Sequence, residues 1–284
     1  MNPLKNRIMK TNVFYTGIVG MVLALFTFTA CNKEETANEP TVSQSEMVNA
    51  SKDATEADNA TDGAFSLIET AYSEIEENEG RNASLFPDCT TITITSENGV
   101  TFVTLDFGLG CELPNGNIVS GKIHLTYGPK QNGTRTITYQ FENFVFNDKG
   151  IAGGGTIFRE RNNANGNPQA TIHLNLHVLF PSGALADVSG TKVREWIEGM
   201  GSGTWMDNVF LVTGNRTINF STGFESYAIV TEALRREATC RYFVSGVLDI
   251  TRNGHNGTLD FGDGTCDNLA ILTIDGVEYE IILH

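Results

Sequence analysis

From residue 90 onward the sequence alternates. Residues 91–95, 122–127, 136–141 and 170–178 carry Ile, Leu, Tyr, Phe or Val at every second position, with Thr, Lys, His, Gln or Asn between them. Successive side chains of an extended chain point to opposite faces, so this period marks half-buried strands. Thr, Ile, Val, Tyr and Phe are also the residues that fit a pleated surface best. Turn signals punctuate the pattern: Asn98-Gly99, Asn115-Gly116, Asn132-Gly133, Asn165-Gly166, Asn253-Gly254, Asn256-Gly257 and Asp275-Gly276. Such dipeptides accept the positive φ that a tight hairpin requires. No sustained helical period interrupts these segments, which argues against βαβ units and a parallel sheet. The expectation is an all-β domain, an antiparallel meander of about 10–13 strands. A sheet of that size curls or splits, so a curved open sheet or half-barrel, a closed barrel and a two-sheet sandwich are all open. A membrane-spanning barrel would need an apolar belt facing lipid, whereas Thr, Asn, Arg and His enter both faces here.

The N-terminus carries a different signal. Lys5, Arg7 and Lys10 precede an uncharged apolar stretch over residues 13–30 (VFYTGIVGMVLALFTFTA), and Cys31 follows at once. A positive start, an apolar middle and a small residue before the cut form the secretory pattern. Phe28-Thr29-Ala30-Cys31 resembles the lipobox of bacterial lipoproteins, with Phe28 where Leu is usual. The resemblance implies that residues 1–30 are removed and that Cys31 receives acyl chains of the palmitate type. Two or more chains anchor stably in a lipid bilayer, where one binds only reversibly. An apolar segment of about 18 residues also just suffices to span a bilayer, and a cut elsewhere with Cys31 incidental is a further reading. Asn32, not Asp, follows the Cys, so the familiar inner-membrane retention signal is missing. Lys33-Glu34-Glu35 resembles the export signal of surface lipoproteins in Bacteroidota, which implies an outer-membrane protein facing outside the cell.

Between anchor and strands the composition shifts. The 284 residues hold 19 Lys+Arg against 34 Asp+Glu, a formal charge of −15, with much of the acidity before residue 89. There is no basic block, so the phosphate backbone of a nucleic acid is not an expected partner. Residues 31–63 are rich in Asn, Glu, Thr, Ser and Ala with almost nothing large and apolar. Such a stretch buries too little to offset the entropy of ordering, and it reads as an acidic tether. In residues 64–79, Phe65, Ile68, Tyr72 and Ile75 recur at helical spacing beside Glu69, Glu74, Glu76, Glu77 and Glu79. That pattern predicts a short amphipathic helix lying on a single β domain that spans residues 64–284.

Five cysteines occur. With Cys31 acylated, four are left in an oxidising compartment, and four permit three connectivities. An internal partial repeat favours one of them. Cys89 opens a strand, an Asn-Gly turn and a second strand ending in Leu105-Asp106-Phe107-Gly108 before Cys111. Cys240 opens the same order, through Leu259-Asp260-Phe261-Gly262 to Cys266. Folding each segment about its turn brings its own cysteines together, predicting Cys89–Cys111 and Cys240–Cys266. Each closed loop would contribute about 3 kcal/mol in the chain-entropy account. In both motifs the Asp is read as pinning a tight turn while the Phe packs inward. Asp260, Asp263 and Asp267 offer carboxylates to calcium, but their spacing does not fit an EF-hand loop. The two Cys-bracketed hairpins, Ser120-Gly121-Lys122-Ile123, Phe141-Glu142-Asn143-Phe144, Trp196-Ile197-Glu198-Gly199 and the closing Cys266-Asp267-Asn268 strand pair together resemble a Bacteroidota lipoprotein group over residues 85–284. That resemblance implies location and not chemistry.

No nucleophile elbow, phosphate loop or close cysteine pair of a metal site is present, so no catalytic residue, metal ligand or cofactor is assigned. Gly153-Gly154-Gly155 and Gly199-Met200-Gly201-Ser202-Gly203 read as turns, bulges or close backbone approaches. His173 and His177 lie four apart on a strand, too far from one another to share a metal. Trp196, Trp205 and Tyr227 are the aromatic residues available to stack on a ligand, with core packing as the alternative role. The leading functional reading is a non-enzymatic, surface-displayed lipoprotein that binds an extracellular or periplasmic ligand. Two others stand beside it: a lipid or acyl-chain carrier with an apolar half-barrel groove lidded by the helix at 64–79, and an envelope glycan hydrolase with a pair of carboxylates in a pocket.

Overall fold

The computed structural model describes residues 44–77 and 84–284. The residues read as a signal segment, Cys31 and the Lys33-Glu34-Glu35 motif lie outside them. Fourteen strands follow one another: β1 (Thr91–Glu97), β2 (Val100–Asp106), β3 (Cys111–Glu112), β4 (Ile118–Tyr127), β5 (Thr134–Phe146), β6 (Lys149–Glu160), β7 (Gln169–Leu179), β8 (Leu185–Glu198), β9 (Val209–Phe220), β10 (Glu225–Glu237), β11 (Phe243–Arg252), β12 (His255–Asp263), β13 (Leu269–Ile274) and β14 (Val277–Ile282). They form one antiparallel meander in which each strand pairs with the next, while the two-residue β3 lies beside β4. β1 and β14 are the two ends of the path, so the sheet is curved and open rather than closed or split in two. The all-β meander with one N-terminal helix is therefore as the alternation implies.

Curvature comes from glycines inside the strands. Gly190 on β8 and Gly214 on β9 take φ values of 139° and 118°. A Cβ at either would run into the facing carbonyl, Asn215 O for Gly190 and Thr191 O for Gly214. The two strands thus approach and bend where only glycine fits. A similar device sits on β6. The β6–β7 pairing skips from Gly153 to Thr156, Tyr139 lies against Gly155, and the Tyr139 hydroxyl donates 3.0 Å to the His173 carbonyl. An aromatic ring thus covers the bare backbone at Gly155, while Gly153 and Gly154 face neighbouring backbone.

The helix departs from expectation in extent and in place. α1 runs over Gln44–Glu76, so it begins about twenty residues before the predicted start, and residues 44–63 are helix rather than tether. Every residue from Ala54 to Ser73 is buried. Twenty consecutive buried residues leave no solvent face, so the helix does not lie on the domain: the sheet wraps around it. On one side it packs conventionally, with Phe65 edge-on to Tyr139 at 5.3 Å and Tyr72 against Tyr127 at 5.4 Å. A cluster of Phe107, Phe141 and Phe144 continues the core beneath β2, β4 and β5. Elsewhere Ala54, Ala57, Ala60, Gly63 and Ala64 keep its profile thin enough to fit. At Gly63 the fit is complete, because an added Cβ would fall within the ring of Phe146. Gly63→Ala gains helix propensity yet overpacks this contact, and a net loss of about 1–3 kcal/mol is expected in urea unfolding.

Candidate functional site: a cation-lined interior

Strand alternation turns one side chain in two inward, and on the middle strands many of these are cationic. Arg135, Lys149, Arg159, Lys192, Arg194, Arg216, Arg236 and Arg252 are all buried. Three fall on a single row across the sheet: Arg135 on β5 faces Arg159 on β6, Arg159 faces Ala170 on β7, and Ala170 faces Arg194 on β8. Like charges side by side on one face destabilise a sheet unless something neutralises them.

The helix supplies the neutralising groups. Glu56 pairs with Lys149 at 3.0 Å, and Asp58 pairs with Arg216 and, at 3.4 Å, with Lys192. Asp62 pairs with Arg194 and stands 3.6 Å from Arg236. Glu69 pairs with Arg159, which also reaches Glu77 at 3.2 Å. Glu76 pairs with Arg135 at 2.6 Å and Lys130 at 2.8 Å. Hydrogen bonds to uncharged helix side chains complete the grip: Arg194 donates to Ser66 at 2.9 Å, Arg236 donates to Asn59 at 2.8 Å, and the Trp205 indole donates to Thr70. Arg159 also lies 4.3 Å over the Tyr72 ring, and Arg194 4.5 Å over Phe210. Guanidinium suits such a site because it stacks on rings and stays charged when buried.

The electrostatics are those of matched pairs. Burial alone would raise the Asp62 carboxyl, but Arg194, Arg236 and Lys192 hold it below the ordinary carboxylate range. Burial also acts to raise Glu76, and hydrogen bonds from Lys130 and Arg135 outweigh it. Burial pushes the Arg236 guanidinium down to about 10, against the pull of Asp62.

The interior is full. One small cavity of about 20 Å³ lies beside Asp58, Lys192 and Arg216, and another of about 10 Å³ beside Gly63, Asn117 and Trp205. Each has room for about one water. The groove that an acyl-chain carrier would need is occupied by the helix, which fills the concave face rather than lidding it. Its walls on β5–β11 carry the cations described above.

The structure separates the residues singled out in the sequence. Both expected disulfides form, Cys89–Cys111 and Cys240–Cys266, with Cα atoms 5.5 and 5.7 Å apart. Asp106 accepts from the Gly108 amide and Asp260 from the Gly262 amide, while Phe107 and Phe261 are buried, so both motifs serve their turns. Asp263 accepts from Thr265 and Asp267 from Leu269. Among the described residues no group of His, Cys, Asp and Glu could hold a metal ion. The aromatic trio is not brought together. Trp196 is buried, stacked 5.6 Å from Phe210 with its indole donating to the Glu198 carbonyl; Trp205 is buried against the helix; only Tyr227 is 43% exposed. Histidines lie beside carboxylates on the outer side: His124 with Glu142 at 2.9 Å, His177 with Asp187 at 2.6 Å, His255 with Asp275 at 2.7 Å. Among the described residues no helix is long and apolar enough to cross a membrane. No family model, curated protein or solved structure matches this chain.

Asp62→Asn leaves two buried guanidinia without their shared carboxylate, and about 3–5 kcal/mol of stability should be lost. The wild-type pH profile carries the same signature. Asp62 and Glu76 have folded pKa values below their unfolded ones, so their stabilisation is complete above the ordinary carboxylate pKa of about 4 and drains as pH falls through the lowered values. Urea midpoints between pH 7 and pH 2 should fall steeply at the acid end for wild type and less steeply for Asp62→Asn.

Proposed function

We propose that this chain is a lipid-anchored envelope lipoprotein, held at the outer membrane through acylated Cys31 and facing outside the cell, whose β domain binds a ligand or partner through its outer surface. The observation that carries this reading is the filled interior. A domain whose concave face is occupied by its own helix, with small cavities of about 20 and 10 Å³ beside it, has its outer face left for recognition. The carrier reading would require the helix to leave and expose eight buried cations. The hydrolase reading would require two carboxylates in a pocket, whereas Asp58 is the one carboxylate at either cavity and it is held by Arg216 and Lys192.

On the outer face, Tyr227 stands between Thr217 on β9 and Thr251 on β11, with exposed Ile229 two residues along. An aromatic ring flanked by hydroxyls suits a ligand with both polar and apolar faces. The early start of the helix also shortens the link to the anchor. Residues 32–43 separate Cys31 from α1, at most about 45 Å of fully extended chain. The domain is therefore kept close to the bilayer.

Protease shaving of intact cells tests the placement. Native protein should be lost to external protease, and a variant with Lys33, Glu34 and Glu35 changed to Ala should be protected. Protection of both would put the domain in the periplasm and end the surface reading.

A further inference from the structure

The open sheet ends in two strands that are built differently. β14 carries Glu278 and Glu280, both exposed and two residues apart, hence on one face. Acids on an edge strand repel a second strand laid beside it. β1 has no such guard. Residues 89–96 read CTTITITS without a charge, and Glu97 is the one acid of the strand. Every residue of β1 except Ile92 is exposed. Among the described residues β2 is its one pairing partner, in a register that runs the length of the strand without a bulge. An uncharged, unbulged edge rich in β-branched residues is a template for another strand.

The hairpin fixes which backbone groups face outward. Asn98 and Gly99 take φ values of 50° and 78° and form a two-residue turn closed by Glu97 and Val100. That closing pair exchanges hydrogen bonds, and pairs alternate along the ladder. Thr91, Thr93 and Thr95 therefore spend their backbone groups on β2, while Ile92, Ile94 and Ser96 turn theirs to the open side. The side-chain pattern then says which strand fits. Laid antiparallel about a two-fold axis at Thr93, β1 matches itself: Ile92 meets Ile94 of a second copy, Thr91 meets Thr95, and Thr93 meets its own counterpart. Aliphatic and Thr–Thr cross-strand pairs are favourable, and Glu97 falls opposite Cys89 rather than another acid. Charge points the same way. With −15 overall, two copies repel unless they meet on a neutral segment, as residues 89–96 are. On the inner face Ile92 and Ile94 stand in register with buried Leu105 and Val103. The apolar layer thus runs to the edge and stops uncovered at Ile94, which is 49% exposed. Ile92 of a second copy would lie against it.

We propose that β1 is the interface for a second copy of this chain. Two copies pair β1 to β1, antiparallel, about an axis at Thr93, and the two sheets become one. The Ile92–Ile94 pairs exchange backbone hydrogen bonds across the junction, and both unguarded edges are used up. A two-fold contact of this kind closes on itself, whereas β1 of one copy on β14 of the next would propagate a filament.

Cysteine cross-linking of the full-length protein in membranes tests this. Thr93→Cys puts two thiols across the axis in a pair that makes no hydrogen bonds, with Cα atoms about 4.5 Å apart and within disulfide reach. Mild oxidation should give a band of twice the monomer mass on a non-reducing gel, and wild type treated alongside should give none. Thr95→Cys lies off the axis, its two thiols about 13 Å apart along the strands, and should stay monomeric. Ile94→Pro removes an outward N–H and spares the ladder to β2, so adding it to Thr93→Cys should abolish the band. Sedimentation of the unaltered protein in detergent supplies a readout without substitutions, and the dimer mass is expected. A monomer there would overturn the proposal. So would a Thr93→Cys chain that stays monomeric after oxidation, or equal cross-linking at Thr93 and Thr95. A cross-linked band of another mass would give the edge to a different partner and refute the second copy.

Discussion

The fold depends on charge pairing across the boundary between one helix and one sheet. An open antiparallel sheet has a concave face that must be covered, and this one is lined with guanidinium and ammonium groups. Moving such a group out of water costs several kcal/mol even after relaxation, and only close pairing with further hydrogen bonds repays it. The helix meets that demand along its length, from Glu56 near the start of β6 to Glu76 at the start of β5. Because each acid faces particular cations on the sheet, the pairs also fix the helix in register. Sliding it by one residue would bury unmatched charges at several places at once. The apolar contacts of Phe65 and Tyr72 would tolerate small displacements better than Asp62 between Arg194 and Arg236.

This explains why some of the fold was legible in the sequence and some was not. Strand alternation is a local signal. It gave β4, β5 and β7 closely, and the internal repeat gave both disulfides, because a hairpin brings its own ends together. The helix was misjudged because the argument for a tether equates burial with hydrophobicity. Residues 44–63 hold little that is large and apolar, and they are buried through Asp58, Asn59 and Asp62 bonded to arginines that lie more than a hundred residues away in sequence. Two traces of the arrangement were present. Asp62, Glu69 and Glu76 recur every seven residues along one helix stripe, next to the apolar stripe, and would ordinarily be read as a solvated face. On the strands, Arg135, Arg159, Arg194, Arg216 and Arg252 occupy positions in phase with the buried apolar residues. Either trace alone looks like noise, and only the pairing gives them meaning.

The same interaction governs what the domain can do. With the concave face occupied, Trp196 and Trp205 serve packing, and the helix cannot be a lid. Stacking capacity is left at Tyr227, on the convex side. The helix is also the first described element in sequence, so the described chain enters the fold at its core rather than at a peripheral strand.

The central claim is that residues 54–73 form a helix sealed within the sheet. Native-state hydrogen exchange followed by mass spectrometry tests it most directly. Amides of this segment should exchange only through global unfolding, with a free energy matching that from urea, as the core strands β5–β9 do. Rapid exchange of residues 54–73 while those strands stay protected would contradict the account, because it would mean that the sheet holds together without the acids that neutralise its interior.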